Sequence, residues 1–278
     1  MSKGIPLRIR MALLVFRKDW REIRRNWQVI LPIIVMPIAI SVLLPSFIIL
    51  IPGGGQQSSP EGVAALLESL PAELRAELAG LNQQAVIIYI FLVYLLAPFF
   101  LIIPLLASTV IAADSFAGEK ERRTIEALLA IPISDSELFL GKVLVSFVPS
   151  MIVTWSSFAI YTAVVDVLSF SIFNGRAILP NLVWTLFIFG LAPLVALTSI
   201  GLTVTISARV KGFREAQQIS AILLVPILGL FFGQLSGAVF LGPVIIGLLA
   251  GGFALVAAIV FQIGVRLFQR EEILARLA

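Results

Sequence analysis

Residues 85–113 read AVIIYIFLVYLLAPFFLIIPLLASTVIAA, a run of 29 positions without a single charge. About 18 such residues already mark a helix that crosses a bilayer, and at 1.5 Å per residue this run exceeds the roughly 30 Å of hydrocarbon. Charges return at once on its far side, as DSFAGEKERR over 114–123. The alternation of long apolar runs with short charged segments repeats along the chain. Further runs at 28–51, 138–165, 181–208, 217–240 and 243–265 bring the expected number of spans to six. The fold class expected is all-α and integral to the membrane, with residues 1–278 forming one transmembrane domain.

Bulk composition agrees. Hydrophobic residues make up 59% of the 278 and charged residues 13%, where a soluble domain carries about 25% charged. Mean hydropathy is +1.06. There are no Cys and no His, which excludes disulfides, thiolate metal sites, Cys nucleophiles and His-based acid–base chemistry. The net charge of +4 does not imply nucleic acid, because on a membrane protein the placement of basic residues carries the information. The first apolar run, about 24 residues, is too long for the apolar core of a cleaved signal and reads as a retained span.

Placement of the basic residues sets the expected orientation. Seventeen of the 20 Lys and Arg fall before the first run, between the second and third, between the fourth and fifth, or after the sixth, and Lys142, just inside the third run, makes eighteen on that side. Only Arg75 and Arg176 fall on the other side. This bias predicts that both termini are cytoplasmic. Residues 1–27 read as an amphipathic interface helix. Ile9, Leu13, Phe16, Trp20, Ile23 and Trp27 recur at helical steps of three and four. Phe16, Trp20, Ile23 and Trp27 are its candidate functional face, either a lipid-surface anchor or a docking surface for a cytoplasmic partner. Residues 52–84 read as an extracellular helical loop opening on Pro52, Gly53, Gly54 and Gly55.

The most informative charged segment is 114–137, DSFAGEKERRTIEALLAIPISDSE. Asp114 or Ser115 is positioned to cap a new helix running to about Ala130, which Pro132 would end. On residues alone the segment reads either as a solvated, charged inner loop or as a short lever for a partner. Glu119, Lys120, Glu121, Thr124, Leu128, Leu129, Pro132 and Ser134, followed by Gly141 and Lys142, resemble the signature of type-2 ABC exporter permeases. The sequence departs from that pattern at Arg123, where the family often has Gly.

The resemblance implies a cytoplasmic coupling helix that seats on a separate ATPase chain. On that basis Asp114, Gly118, Glu119, Lys120, Glu121, Arg122, Thr124, Glu126, Leu128 and Leu129 are the candidate coupling residues. It also implies two ABC ATPase subunits, a second permease chain as homodimer or heterodimer, and export across the plasma membrane. No cofactor is expected on this chain. ATP and Mg would sit on the partner, and the phosphate-binding pattern GxxxxGK[ST] is absent: Gly141 and Lys142 are followed by Val143. Span interiors read as free of charge, which argues against ion-coupled transport. Their Ser and Thr hydroxyls read mainly as groups bonded within or between helices, and together with Phe they would suit an amphipathic cargo. The readings from other classes are an ATP-independent channel or secondary transporter, or a membrane anchor of a cytoplasmic complex.

Overall fold

A computed structural model describes residues 9–50, 75, 78, 80–122, 135–210 and 212–267. Helix α1 spans Ile9–Ile23. The six spans follow as α2 (Trp27–Leu50), α3 (Gln83–Glu121), α4 (Asp135–Ser169), α5 (Leu182–Ser207), α6 (Phe213–Leu235) and α7 (Pro243–Leu267). All six runs are long and apolar enough to cross a membrane. Three of them start at an asparagine for the same reason. The side chains of Asn26, Asn82 and Asn181 accept from the backbone N–H of Gln28, Ala85 and Trp184, supplying acceptors that the first helical turn lacks.

Outside α3 the helix limits lie up to five residues from the expected runs, and α3 departs further. That helix does not stop at Ala113. It continues through a widened π turn at Asp114–Gly118 to Glu121. Asp114 has helical dihedrals and caps nothing, so the expected new helix beginning at Asp114 or Ser115 is corrected: the charged motif starts on the extended end of the second span. Gly229 and Gly233 lie inside α6, and only Gly237, at φ +72°, turns the chain beyond its end.

The helices pack around α3, which touches α2, α4, α5 and α6, while α7 lies on α5. The apolar stretch of α3 is 89% buried, against 22% for α2, 17% for α6 and 11% for α7. Four prolines account for four irregular turns. A proline ring clashes with the carbonyl four residues back and leaves it without a donor. Pro45, Pro98, Pro193 and Pro226 each follow a π or 3-10 turn containing that fourth residue back: Ser41, Tyr94, Phe189 and Ile222. Pro32, Pro37 and Pro149 sit in uninterrupted helix.

At the Ile90–Leu95 turn the freed carbonyls are claimed by neighbouring helices. Tyr161 Oη of α4 donates to Leu92 O at 2.6 Å and Trp184 Nε1 of α5 to Val93 O at 2.8 Å. Gln234 Nε2 of α6 donates to Tyr94 O at 3.2 Å. Trp184 stacks on Phe158 and Tyr161, with centroids 5.7 and 5.2 Å apart, and Phe100 meets it edge-on. Most hydroxyls of α4 and α5, including Ser146, Thr154 and Ser199, bond to carbonyls of their own helix. Thr198 also reaches Phe253 O and so joins α5 to α7.

Candidate functional site: a buried charge cluster at the basic end

Span α4 carries Lys142 as its last charge before a long apolar stretch, and the side chain is fully buried. A buried ammonium is tolerated only when its hydrogens are satisfied and its charge is matched. Three elements supply the acceptors. Glu119 Oε2 of α3 lies 2.6 Å from Lys142 Nζ, Asp19 Oδ2 of α1 at 3.5 Å, and Ser115 of α3 accepts through both its carbonyl and its hydroxyl. The ring of Phe116 lies 5.3 Å from the ammonium. Ser115 Oγ in turn donates to Asp19 Oδ2 at 2.9 Å. The other oxygen of Glu119 takes Lys18 Nζ at 2.7 Å, so one carboxylate bridges α1 and α4 from the end of α3.

Lys18 also stands 3.4 Å from Asp19 Oδ1, a charge contact without hydrogen-bond geometry, and 3.6 Å from exposed Glu22. Burial opposes the Lys18 ammonium, but the hydrogen bond to Glu119 and the charges of Glu119, Asp19 and Glu22 outweigh it and raise its pKa. Asp19, Glu22 and Glu119 bring their oxygens close enough to hold a cation. The ammoniums of Lys18 and Lys142 already lie among those oxygens, and we read the cluster as an ion-pair network.

Helix α1 reaches this network because of Gly141. A Cβ there would lie 2.8 Å from the carbonyl oxygen of Ala12 and from Val15 Cβ, so glycine allows α1 and α4 to meet at backbone distance. The buried face of α1 is Ala12, Val15, Asp19 and Ile23. The apolar stripe expected to face lipid or a partner only partly coincides with it. Ile23 is buried, and Phe16 and Trp20 are half-buried beside it. Leu13 is exposed, and Trp27 belongs to the first turn of α2 and is 68% exposed.

The remaining charges of 114–122 each grip something. Asp114 Oδ1 accepts from Arg122 Nη1 at 3.0 Å and from Asn26 Nδ2 at 3.1 Å. Burial opposes the Arg122 guanidinium, but the hydrogen bond and charge of Asp114 outweigh it and raise its pKa. Gly118 makes room for that pair: a Cβ would sit 3.0 Å from Asp114 Oδ1 and 3.2 Å from Arg122 Nη2. Lys120 Nζ donates to Val210 O at 3.1 Å. Glu121 Oε2 accepts from Phe213 N at 2.9 Å, placing a carboxylate at the N-terminus of α6 where the helix dipole favours it. Gly212 leaves room for that carboxylate, since a Cβ would lie 2.6 Å from the oxygen and displace it.

The reading of 114–122 as a solvated inner loop is therefore overturned. Asp114, Gly118, Glu119, Lys120, Glu121 and Arg122 join α1, α2, α4 and the α5–α6 turn. Thr124, Glu126, Leu128 and Leu129 lie outside the described residues. Sequence reasoning passed over Lys142 and Asp19 as site residues. The signal was present: a lone acid on an otherwise apolar helical face, and a lysine set just inside a span, each requiring an opposite charge.

A ring of spans around one buried helix, with the end of that helix ionically tied to its neighbours, defines a multi-pass membrane protein whose core elements are coupled at one face. Residues 13–248 match the profile of the ABC-2 family transporter proteins, and the chain belongs to that family, as a transmembrane permease of the ABC transporter class. No curated protein and no solved structure matches the chain.

Proposed function

We propose that the chain is the permease subunit of an ATP-driven exporter of the plasma membrane, with both termini cytoplasmic and hydrolysis supplied by a separate ABC ATPase. Two permease chains and two ATPase subunits would form the working unit, and the cargo would be amphipathic. The observation that carries the reading is the Lys142–Glu119–Lys18 network. A load applied to the segment beyond Arg122 meets a helix end bonded to α1, α4 and the α5–α6 turn, so several spans receive it together. ATP binding at the partner would then bias a two-state arrangement of spans. Glu119 has 1% exposure, so its part in this scheme is to position other elements. Direct contact with the ATPase falls to Thr124, Glu126, Leu128 and Leu129.

The test is co-purification with the ABC ATPase expressed alongside it. The wild-type chain is expected to retain the ATPase and change its turnover. The L128D/L129D variant should insert normally and lose both effects. An ATPase that binds and responds equally to the wild type and this variant would overturn the coupling assignment.

A further inference from the structure

Helix α1 ends in an arginine cluster that the charge network does not use. Arg21, Arg24 and Arg25 line a recess of about 360 Å³ on the side of the chain that turns into α2. All are exposed, and none forms an ion pair among the described residues. The nearby acids are committed elsewhere: Asp19 is buried against Ser115 and Lys142, and Glu22 faces Lys18. Three guanidinium groups on one recess with no opposing carboxylate among the described residues are a site for an anion, and their planar forks suit phosphate oxygens.

The surroundings fix the source of that anion. Trp27 follows Arg25 by two residues and is 68% exposed. Leu31, Ile34, Val35 and Ile38 continue from it as one exposed ridge along α2. Trp is characteristic of the headgroup level, and the ridge beneath it has the length and chemistry to lie along acyl chains. We propose that the recess of Arg21, Arg24 and Arg25 binds the phosphate headgroup of an anionic phospholipid whose chains lie on this ridge of α2. A phosphodiester without a compensating ammonium is the headgroup it selects. Because Asp19 and Lys18 lie on the same short helix, the bound lipid also holds α1 in the position the charge network needs. The proposal rests on the membrane fold alone and is independent of ATP coupling.

The test uses the full chain in nanodiscs of phosphatidylcholine with increasing phosphatidylglycerol. The readouts are lipid retained in native mass spectrometry and thermal unfolding. Each arginine near an anionic surface contributes roughly fivefold in affinity. The R21Q/R24Q/R25Q variant should therefore lose the preference for phosphatidylglycerol by at least about tenfold. The matching Lys variant should keep most of it, and R176Q at the opposite end should keep all of it. If the triple Gln variant does not fold, R21Q, R24Q and R25Q measured singly should show graded losses. A preference unchanged in these variants overturns the proposal. So does protection by inorganic phosphate equal to that by the lipid, which would indicate a free-anion site. Loss of ATPase binding with the lipid preference intact would make the recess a protein-docking surface and equally refute it.

Discussion

Replacing Lys142 by Met keeps the length of the side chain and removes its charge. The variant leaves Glu119 and Asp19, at 1% and 3% exposure, facing a thioether. Removing one partner of a buried pair costs about 3–5 kcal/mol, because the other charge stays desolvated. Here Lys18 remains 2.7 Å from Glu119 and 3.4 Å from Asp19, so part of the field survives. The expected loss is therefore at the lower end, about 3 kcal/mol. Adding E119Q to K142M removes the orphaned charge and should return roughly 0.5–3 kcal/mol as coupling between the two sites. Denaturant titration in nanodiscs gives the stabilities. A chain retaining only Trp20 reports where the damage lies, since that residue sits half-buried on α1 beside Asp19. Acrylamide quenching of Trp20 should rise in K142M, because α1 loses its link to α4. A stability within about 0.5 kcal/mol of the parent, the range of an ordinary surface change, together with unchanged quenching would refute the reasoning. It would mean that Lys142 is solvated and that α1 is held by apolar contact alone.

Three further outcomes follow from the same structure. Gly141→Ala drives a Cβ to 2.8 Å from the Ala12 carbonyl; backbone cannot swing aside, so a cost of about 1–3 kcal/mol and raised Trp20 quenching are expected with Lys142 intact. Trp184→Phe keeps the aromatic stack but removes the donor to Val93 O, which should cost about 1 kcal/mol in a denaturant titration of the otherwise unchanged chain. For Lys18 the folded-state pKa is raised, so the unfolded chain loses its proton first. Its stabilising contribution is complete below the unfolded value of about 10.5 and is lost only as pH climbs through the higher folded value. Release of α1, followed by Trp20 emission, should thus begin on the alkaline side of 10.5, and K18M should abolish that dependence.

Reading order explains what the sequence disclosed and what it withheld. The six spans were legible because each is set by local composition against a fixed bilayer thickness. The end of α3 was not, because hydropathy drops at Asp114 while the helix continues. Nothing local distinguishes a charge that leaves for water from one that finds Asn26 or Arg122 on another element. The buried face of α1 was not legible for a related reason. Periodicity chose the most apolar stripe, Leu13 through Trp27, whereas the buried stripe contains Asp19. A pairing partner 123 positions away, Lys142, decides that rotation, and the small residue beside it, Gly141, lets the backbones close. The charged motif stood out by resemblance, but the contacts of its charges are tertiary and lie on elements distant in sequence.

The two buried polar knots explain why a load at one end need not be dissipated locally. Both lie at π turns of α3, at Ile90–Leu95 and at Asp114–Gly118, about 35 Å apart centre to centre along the helix at 1.5 Å per residue. Helix α4 is bonded to both, through Tyr161 to Leu92 and through Lys142 to Glu119. Helix α6 is also bonded to both, through Gln234 to Tyr94 and through Phe213 to Glu121. Sliding one of these three helices along another by a few ångströms would break specific hydrogen bonds at each end, those at Ile90–Leu95 within the buried apolar core. Rotating them together breaks none. Helices α2 and α7, exposed over most of their length, carry no such double attachment among the described residues. The arrangement thus separates a bonded frame of α3, α4 and α6 from peripheral spans that can shift against it, and the charges of 114–122 sit on the frame.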